Sequence, residues 1–360
     1  MNPYHEEHKC PQGPGDARPT ALEIVAHNGL FNQWHDKVVL ITGATGAIGL
    51  ETAIALYDTG AHVFITARDE EEGKEVVGKI LRRSGPKGEI DVLRLHMESL
   101  DSVKQAADEF LRRSPTLNIL INNAGIYEAP KALTRDGFES HFGINHLAHF
   151  TLITKLLPAL KAGSSSAFQS RIIQVSDDAH QHVSVDFNDV NCFKKKYFPF
   201  LAYAQSKTAM VWTANYINAV YGTAGVHALS VHPGTVLSDH YQHLRPEVMA
   251  WWKNGGGANK VKSKAQGAAT TVWAAVGRVW EGKGGVYLRD CQLSERSWSF
   301  LYSLEGLYMP RTCGRKKEET LWRLSLECTN MPEPLIYGMT PNVYWTTPDP
   351  GQPVMMDESE

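Results

Sequence analysis

Thr42-Gly-Ala-Thr-Gly-Ala-Ile-Gly49 is the stretch on which the reading of the chain turns. It follows Lys37-Val-Val-Leu-Ile-Thr42, a short β-branched run that reads as a buried parallel strand. From Ile48 to Tyr57 the apolar spacing becomes helical, and it stops at Gly60, a good helix breaker. A strand, a turn of small residues and then a helix is the context in which a glycine-rich turn binds a dinucleotide. Small side chains let the backbone approach a pyrophosphate, and the helix N-terminus offers aligned N–H groups and positive partial charge. Gly43, Thr45, Gly46, Ala47, Ile48 and Gly49 are therefore the candidate phosphate contacts. Alone this is weak evidence, since most glycine-rich turns are only tight turns.

Outward from the turn, strand and helix patterns alternate. The spacing predicts strands over His62–Thr66, Asp91–Leu95, Asn118–Asn122, Arg171–Val175, His227–Val231 and Gly285–Leu288. It predicts helices over Glu70–Arg83, Leu100–Arg112 and Gly137–Leu160, one starting near Tyr203, and a last one over Glu318–Leu326. Such alternation implies an α/β fold, with a parallel sheet covered on both faces. The expected layout is an N-terminal extension over 1–35, lying on the surface or partly disordered, one domain over 36–328 and a peripheral tail over 329–360.

Composition narrows the function. With 42% hydrophobic and 21% charged residues the chain is ordinary globular protein, and a net charge of -3 gives nucleic acid or an anionic membrane no claim as main partner. No stretch approaches the roughly 18 uninterrupted apolar residues of a membrane span. The polar N-terminus lacks the apolar core of a signal peptide. Five scattered cysteines without metal-ligand spacing read as reduced thiols, so a cytoplasmic protein is the expectation. His146 and His149 have helical metal-ligand spacing but no further ligand nearby, so no metal is expected.

Three more motifs accompany the turn: Asn122-Asn-Ala-Gly125, Tyr203-Ala-Gln-Ser-Lys207 and His232-Pro-Gly234. In this order and spacing the set resembles the short-chain dehydrogenase/reductase family from about residue 37 to 290. Asn145-His-Leu-Ala-His-Phe150, Ser230-Val-His-Pro-Gly-Thr235 and Gln266-Gly-Ala-Ala-Thr-Thr271 look most like its retinol-dehydrogenase and WW-domain-oxidoreductase branch. No WW module or membrane-anchoring leader precedes them, so the branch's substrates are not carried over. The resemblance implies a Rossmann-type doubly wound sheet in a single domain, a nicotinamide cofactor and a homodimer through two long helices. It also implies a C-terminal substrate lid, about 238–317, and adds Asn123, Ala124, Gly125, Pro233, Gly234 and Val236 to the cofactor contacts. Tyr241, Trp251, Trp252, Trp298, Phe300, Tyr302 and Tyr308 make the lid aromatic, which suits a bulky apolar or aromatic small molecule. Trp273 and Trp280 follow a helical pattern and read as core.

In NAD-using relatives an acidic residue ends the second strand. Here that position is Ala67, followed by Arg68, whose guanidinium can grip a 2′-phosphate. The expected cofactor is NADPH/NADP+. His96 stands where relatives usually place an aspartate for the adenine, and Met97 can pack on the ring.

Tyr203 and Lys207 share a helical face; the ammonium is expected to favour the phenolate and bring the tyrosine into catalytic range, and to hold the ribose. Asn145 resembles the family's mid-helix asparagine, which positions a proton-conducting water. The usual serine position, however, falls on Asp177 in Val175-Ser-Asp-Asp178, with Ser176 facing the opposite side of the strand. An ionised Asp177 would oppose charge on a ketone oxygen, whereas a protonated one could donate to it. Two enzymatic readings result: carbonyl–alcohol interconversion, or non-redox proton transfer such as dehydration, isomerisation or cyclisation. A cofactor-binding protein acting through interactions is a third. His180 reads as structural, as do His146, His149 and His232.

Overall fold

The computed structural model describes residues 3–294 and 314–334. Two N-terminal helices, α1 (His5–Lys9) and α2 (Ala21–His27), precede β1 (Val38–Ile41). There follow α3 (Ala47–Tyr57), β2 (His62–Ala67), α4 (Glu70–Ser84), β3 (Ile90–Arg94), α5 (Leu100–Arg113) and β4 (Ile119–Asn122). A π-helical turn, Phe142–Leu147, leads into α6 (Ala148–Gly163), then β5 (Ser170–Val175), α7 (Pro199–Tyr221) and β6 (Val226–His232). The chain continues through α8 (Pro246–Asn254), α9 (Lys264–Gly267), α10 (Ala269–Val276), β7 (Tyr287–Arg289), β8 (Gln292–Leu293) and α11 (Arg315–Thr329).

The strands form one sheet in the order β3-β2-β1-β4-β5-β6-β7-β8, parallel except for β8. After β3 the chain returns to lay β4 beside β1, and this reversal of order opens a crevice at the strands' C-terminal ends. Alternation within β1 divides the core: Val39 and Ile41 bury on the face covered by α2, α3 and α10, and Leu40 on the face covered by α5, α6 and α7.

The sequence and the fold differ at four places. The expected N-terminal extension is not confined to the surface. Ala21, Ile24 and Val25 of α2 are buried in the main core, and Thr20 and Glu23 close a capping box at its start. Their i, i+3, i+4 stripe needs a partner, and α10 with α3 supplies it. The predicted helix over 137–160 is interrupted by the π-turn, the site of Asn145. Helix α7 begins at Pro199, a residue suited to a first helical turn, before the predicted start. The lid region contains α8, which has no core-facing apolar stripe strong enough to announce it. Residues 295–313 and the tail from 335 lie outside the described residues, and with them Trp298, Phe300, Tyr302 and Tyr308.

Helix α11 fills the groove beside α6 and α7. Trp322 stacks on Tyr216 (4.5 Å between ring centroids) and meets Phe150 edge-on (4.8 Å). Among the described residues no helix is long and apolar enough to cross a membrane.

Candidate active site

A cleft of about 500 Å³ opens at the C-terminal ends of the strands. Its first wall is the turn between β1 and α3. Gly43 has φ of 68°, and a Cβ there would stand 2.8 Å from the Ala124 Cα. A Cβ on Gly49 would stand 2.2 Å from the Gly43 carbonyl oxygen. Neither position tolerates a side chain, so the backbone itself lines the cleft. Thr42 Oγ1 ties this turn to β4 by accepting the N–H groups of Asn123 (2.9 Å) and Ala124 (3.0 Å). Asn123 Nδ2 donates back to the Thr42 carbonyl (2.9 Å). At the start of α3, Gly46 offers no side-chain cap, which leaves the first-turn N–H groups to a ligand. These features fit a dinucleotide pyrophosphate.

All the expected cofactor contacts line this one cleft, from the glycine turn through Arg68, His96, Met97, Asn123, Ala124 and Gly125 to Pro233, Gly234 and Val236. Arg68 is exposed and, among the described residues, pairs with Glu72 at 3.3 Å. Such a surface pair is weak and readily exchanged for a phosphate.

Tyr203, Lys207 and Asp177 line the other end. Lys207 Nζ donates to the Val175 carbonyl (2.8 Å), and Ser176 Oγ donates to the Lys207 carbonyl (3.0 Å), so β5 and α7 are pinned together. Ser176 thereby faces α7. Asp177 caps the 3-10 turn Asp178–Gln181, with Oδ1 accepting the Ala179 N–H (2.8 Å). The Asp177 carboxylate also lies near enough to act electrostatically on the Tyr203 hydroxyl. Asp177 Oδ2 lies 3.7 Å from His232 Nδ1. Asn145 stands one layer behind: its Oδ1 accepts from Ile126 N (2.9 Å) and its Nδ2 donates to Ser206 Oγ (3.0 Å).

The electrostatics depart from expectation. Burial, reinforced by the Asp177 carboxylate, pushes the Tyr203 hydroxyl well above its ordinary value rather than below it. Burial also lowers Lys207, to about 8, with Asp177 opposing. The ammonium lies 5.5 Å from the Tyr203 ring centroid, and its hydrogen bond goes to Val175. Burial therefore favours the neutral form of Tyr203.

Several residues here had no sequence signal. Tyr127 packs edge-on against Tyr203 (4.6 Å) and Tyr241 (5.0 Å), and lies 5.6 Å from His240. Burial, then Lys207, lowers His240 to about 4, leaving a neutral imidazole in this aromatic wall. Asp178 accepts from the Tyr287 hydroxyl (3.1 Å) and sits 3.5 Å from both Arg289 and His232; burial raises it, but His232 and Arg289 pull it below its ordinary value. Only Tyr127's position, two residues past Asn-Ala-Gly, could have pointed to it.

The remaining candidates are structural. His180 Nδ1 bonds the Asp177 carbonyl (2.7 Å), His146 bonds Ser325 (2.8 Å) and His149 bonds Thr42 (2.9 Å). Burial lowers His146 to about 3 and His149 to about 4. Trp273 and Trp280 are core, with ring centroids 4.9 Å apart.

The short chain dehydrogenase family pattern matches residues 37–248. The chain belongs to that family. Among similar members, the short-chain dehydrogenase/reductase prx1 of Penicillium roqueforti is 43% identical over 322 residues, covering 89% of this chain and 93% of that one. Human retinol dehydrogenase 12 is 35% identical over 292 residues, 81% of this chain and 85% of that one. A solved structure of an uncharacterised Mycobacterium paratuberculosis protein is 29% identical with a TM-score of 0.64, covering 86% of this chain and 98% of that one. The NADP complex of Pseudomonas aeruginosa RhlG, 21% identical with a TM-score of 0.59 over 72% of this chain and 96% of that one, shares the fold. As a short-chain dehydrogenase this chain is an oxidoreductase-family enzyme with a single-domain Rossmann-type fold.

Proposed function

We propose that this short-chain dehydrogenase interconverts a carbonyl and an alcohol on a bulky apolar or aromatic small molecule, using NADPH. The observation that carries the reading is Tyr203 and Lys207 meeting the glycine-turn cleft at one end, with the exposed Arg68 lining it at the other. Bound NADPH supplies the hydride that reduces the carbonyl carbon. Gly43 to Gly49 and the start of α3 hold its pyrophosphate, and Arg68 meets the 2′-phosphate. Tyr203 delivers a proton from its hydroxyl to the substrate oxygen, and the Lys207 ammonium offsets the phenolate charge left behind. Asp177, in the same cleft lining as Tyr203, completes the polar end. Asp177 stands at the position where the family's serine donates to the substrate oxygen, and its carboxyl group is the side chain available there. Tyr127, His240 and Tyr241 enclose the apolar part of the substrate.

The test is loss of the reduced-nicotinamide absorbance when ketones or aldehydes with bulky apolar groups are added with NADPH. Consumption of none of them sinks the reading. One observation favours a second: Tyr203 and Asp177 line one cleft, an acid–base pair that could move protons without net redox. Turnover with the nicotinamide absorbance constant would select it.

A further inference from the structure

The segment before β1 reaches the back of the cleft wall. Arg18 is 4% exposed, an uncommon burial for a guanidinium. Its Nε donates to Asp16 Oδ1 (2.8 Å), its Nη1 to the Lys260 carbonyl (2.9 Å), and its Nη2 to the carbonyls of Gly13 (3.0 Å) and Val261 (2.7 Å). Gln266 closes the same knot. Its Nε2 donates to the Asp16 and Arg18 carbonyls (3.1 and 2.9 Å), and its Oε1 accepts the N–H groups of Gly15 and Ser263 (both 2.9 Å).

The next contacts inward belong to the cleft. The Lys262 N–H donates to the Thr235 carbonyl (2.8 Å), and the Lys262 stem covers Gly234, where a Cβ would meet Cε at 2.8 Å. Gly267 approaches Val236 and Ile48 so closely that a Cβ would stand 2.3 Å and 3.4 Å from their side chains. Gly234, Val236 and Ile48 all line the cleft. Two short routes therefore run from the knot to that wall, one through Val261–Lys262 and one through Gln266–Gly267.

We propose that Arg18 is a positioning residue for the cofactor side of the cleft: with Asp16 and Gln266 it fixes the 260–267 segment, and through it the Gly234–Val236 wall. A buried guanidinium is costly unless its donors are met. The Lys260 and Val261 carbonyls meet them only in this one placement of the segment, so Arg18 discriminates against displaced ones. An apolar residue of the same volume would pack without that selection. The inference rests on the cofactor reading above.

Arg18→Met keeps the volume and removes the donors, Arg18→Lys restores one charged donor, and Asp16→Asn keeps an acceptor but drops the charge. The expected result for Arg18→Met is an NADPH dissociation constant raised about 10-fold, with kcat at saturating NADPH within about 3-fold of wild type. Arg18→Lys should recover part of the loss, and Asp16→Asn, the variant least prone to misfold, should raise the constant about 3-fold. In the cofactor-free protein, the Lys262 amide should exchange its hydrogen faster in Arg18→Met or, should that variant not fold, in Asp16→Asn. A lower melting temperature with unchanged NADPH affinity in a folded variant means the knot is structural only and overturns the proposal. Wild-type protection at Lys262 overturns it too, independently of cofactor. Faster exchange in a protein whose wild type binds no NADPH would instead remove the cofactor reading and leave the positioning of the wall standing.

Discussion

The two ends of the cleft are built from different materials. At the cofactor end, the turn between β1 and α3 works through backbone, and its geometry is enforced by clashes that any Cβ at Gly43 or Gly49 would create. At the other end, side chains from four separate segments, Tyr203, Asp177, Tyr127 and the His240–Tyr241 pair, converge on one space. A backbone site follows from local chain geometry and leaves a local motif. A side-chain site can change its chemistry by one substitution, as at Asp177, while the fold around it stays the same.

The sharpest way to break this contrast is Tyr203→Phe, which keeps the ring against Tyr127 and removes only the hydroxyl. Turnover should fall by roughly 10²–10⁴-fold, the usual contribution of an acid–base group, with NADPH affinity unchanged. Wild-type turnover would show that the proton comes from elsewhere. Next in size is Arg68→Ala at the other end. Loss of a charge-assisted phosphate contact, roughly 1.5–3 kcal/mol, should weaken NADPH about 10- to 100-fold and leave NADH nearly untouched. Equal affinity of the wild-type protein for both cofactors would refute the role.

A pH titration sharpens the comparison further. Burial holds Lys207 at about 8, so its ammonium is lost as pH rises through that value, and turnover should fall by up to about 10-fold per pH unit above it. The same shift has the opposite sign for stability. The unfolded chain, with lysine near about 10.4, binds more protons between the two values, so the Lys207 contribution to stability rises with pH there. Activity that falls while the melting temperature holds or rises would separate titration from unfolding. Lys207→Arg, which stays charged, should abolish the alkaline limb even if its absolute rate is low.

The smallest effect is expected at Asp177. Asparagine and serine both cap helical turns, so Asp177→Asn and Asp177→Ser should preserve the Ala179 contact. Both can donate to a ketone oxygen, and reduction should stay within about 10-fold of wild type, a difference of ~1.4 kcal/mol. Loss of about 10²-fold or more in both, with folding and NADPH binding intact, would favour the non-redox reading.

The sheet was readable because its strands are short apolar runs punctuated by glycine, and the cofactor motifs sit at their ends. Helix α2 was missed although Thr20-x-x-Glu23 and the Ala21, Ile24, Val25 stripe were there to read, because the polar residues around them dominated the composition. The Asp177 substitution was visible, but its partner was not. Whether Tyr203 answers to Lys207 or to Asp177 depends on where an ammonium points, and here the Val175 carbonyl holds it. The π-turn was also invisible: one extra residue per turn changes no side-chain pattern strongly enough to be read.

Helix α11 has a consequence for assembly. By laying Trp322 against Tyr216 and Phe150, the chain spends on itself an aromatic face that two exposed long helices would otherwise offer to a second copy. With Trp322 seated there, a second copy finds no open aromatic groove at this face. The melting temperature should therefore stay constant across a hundredfold range of protein concentration (about two decades), where an obligate dimer joined at this face would lose stability by mass action.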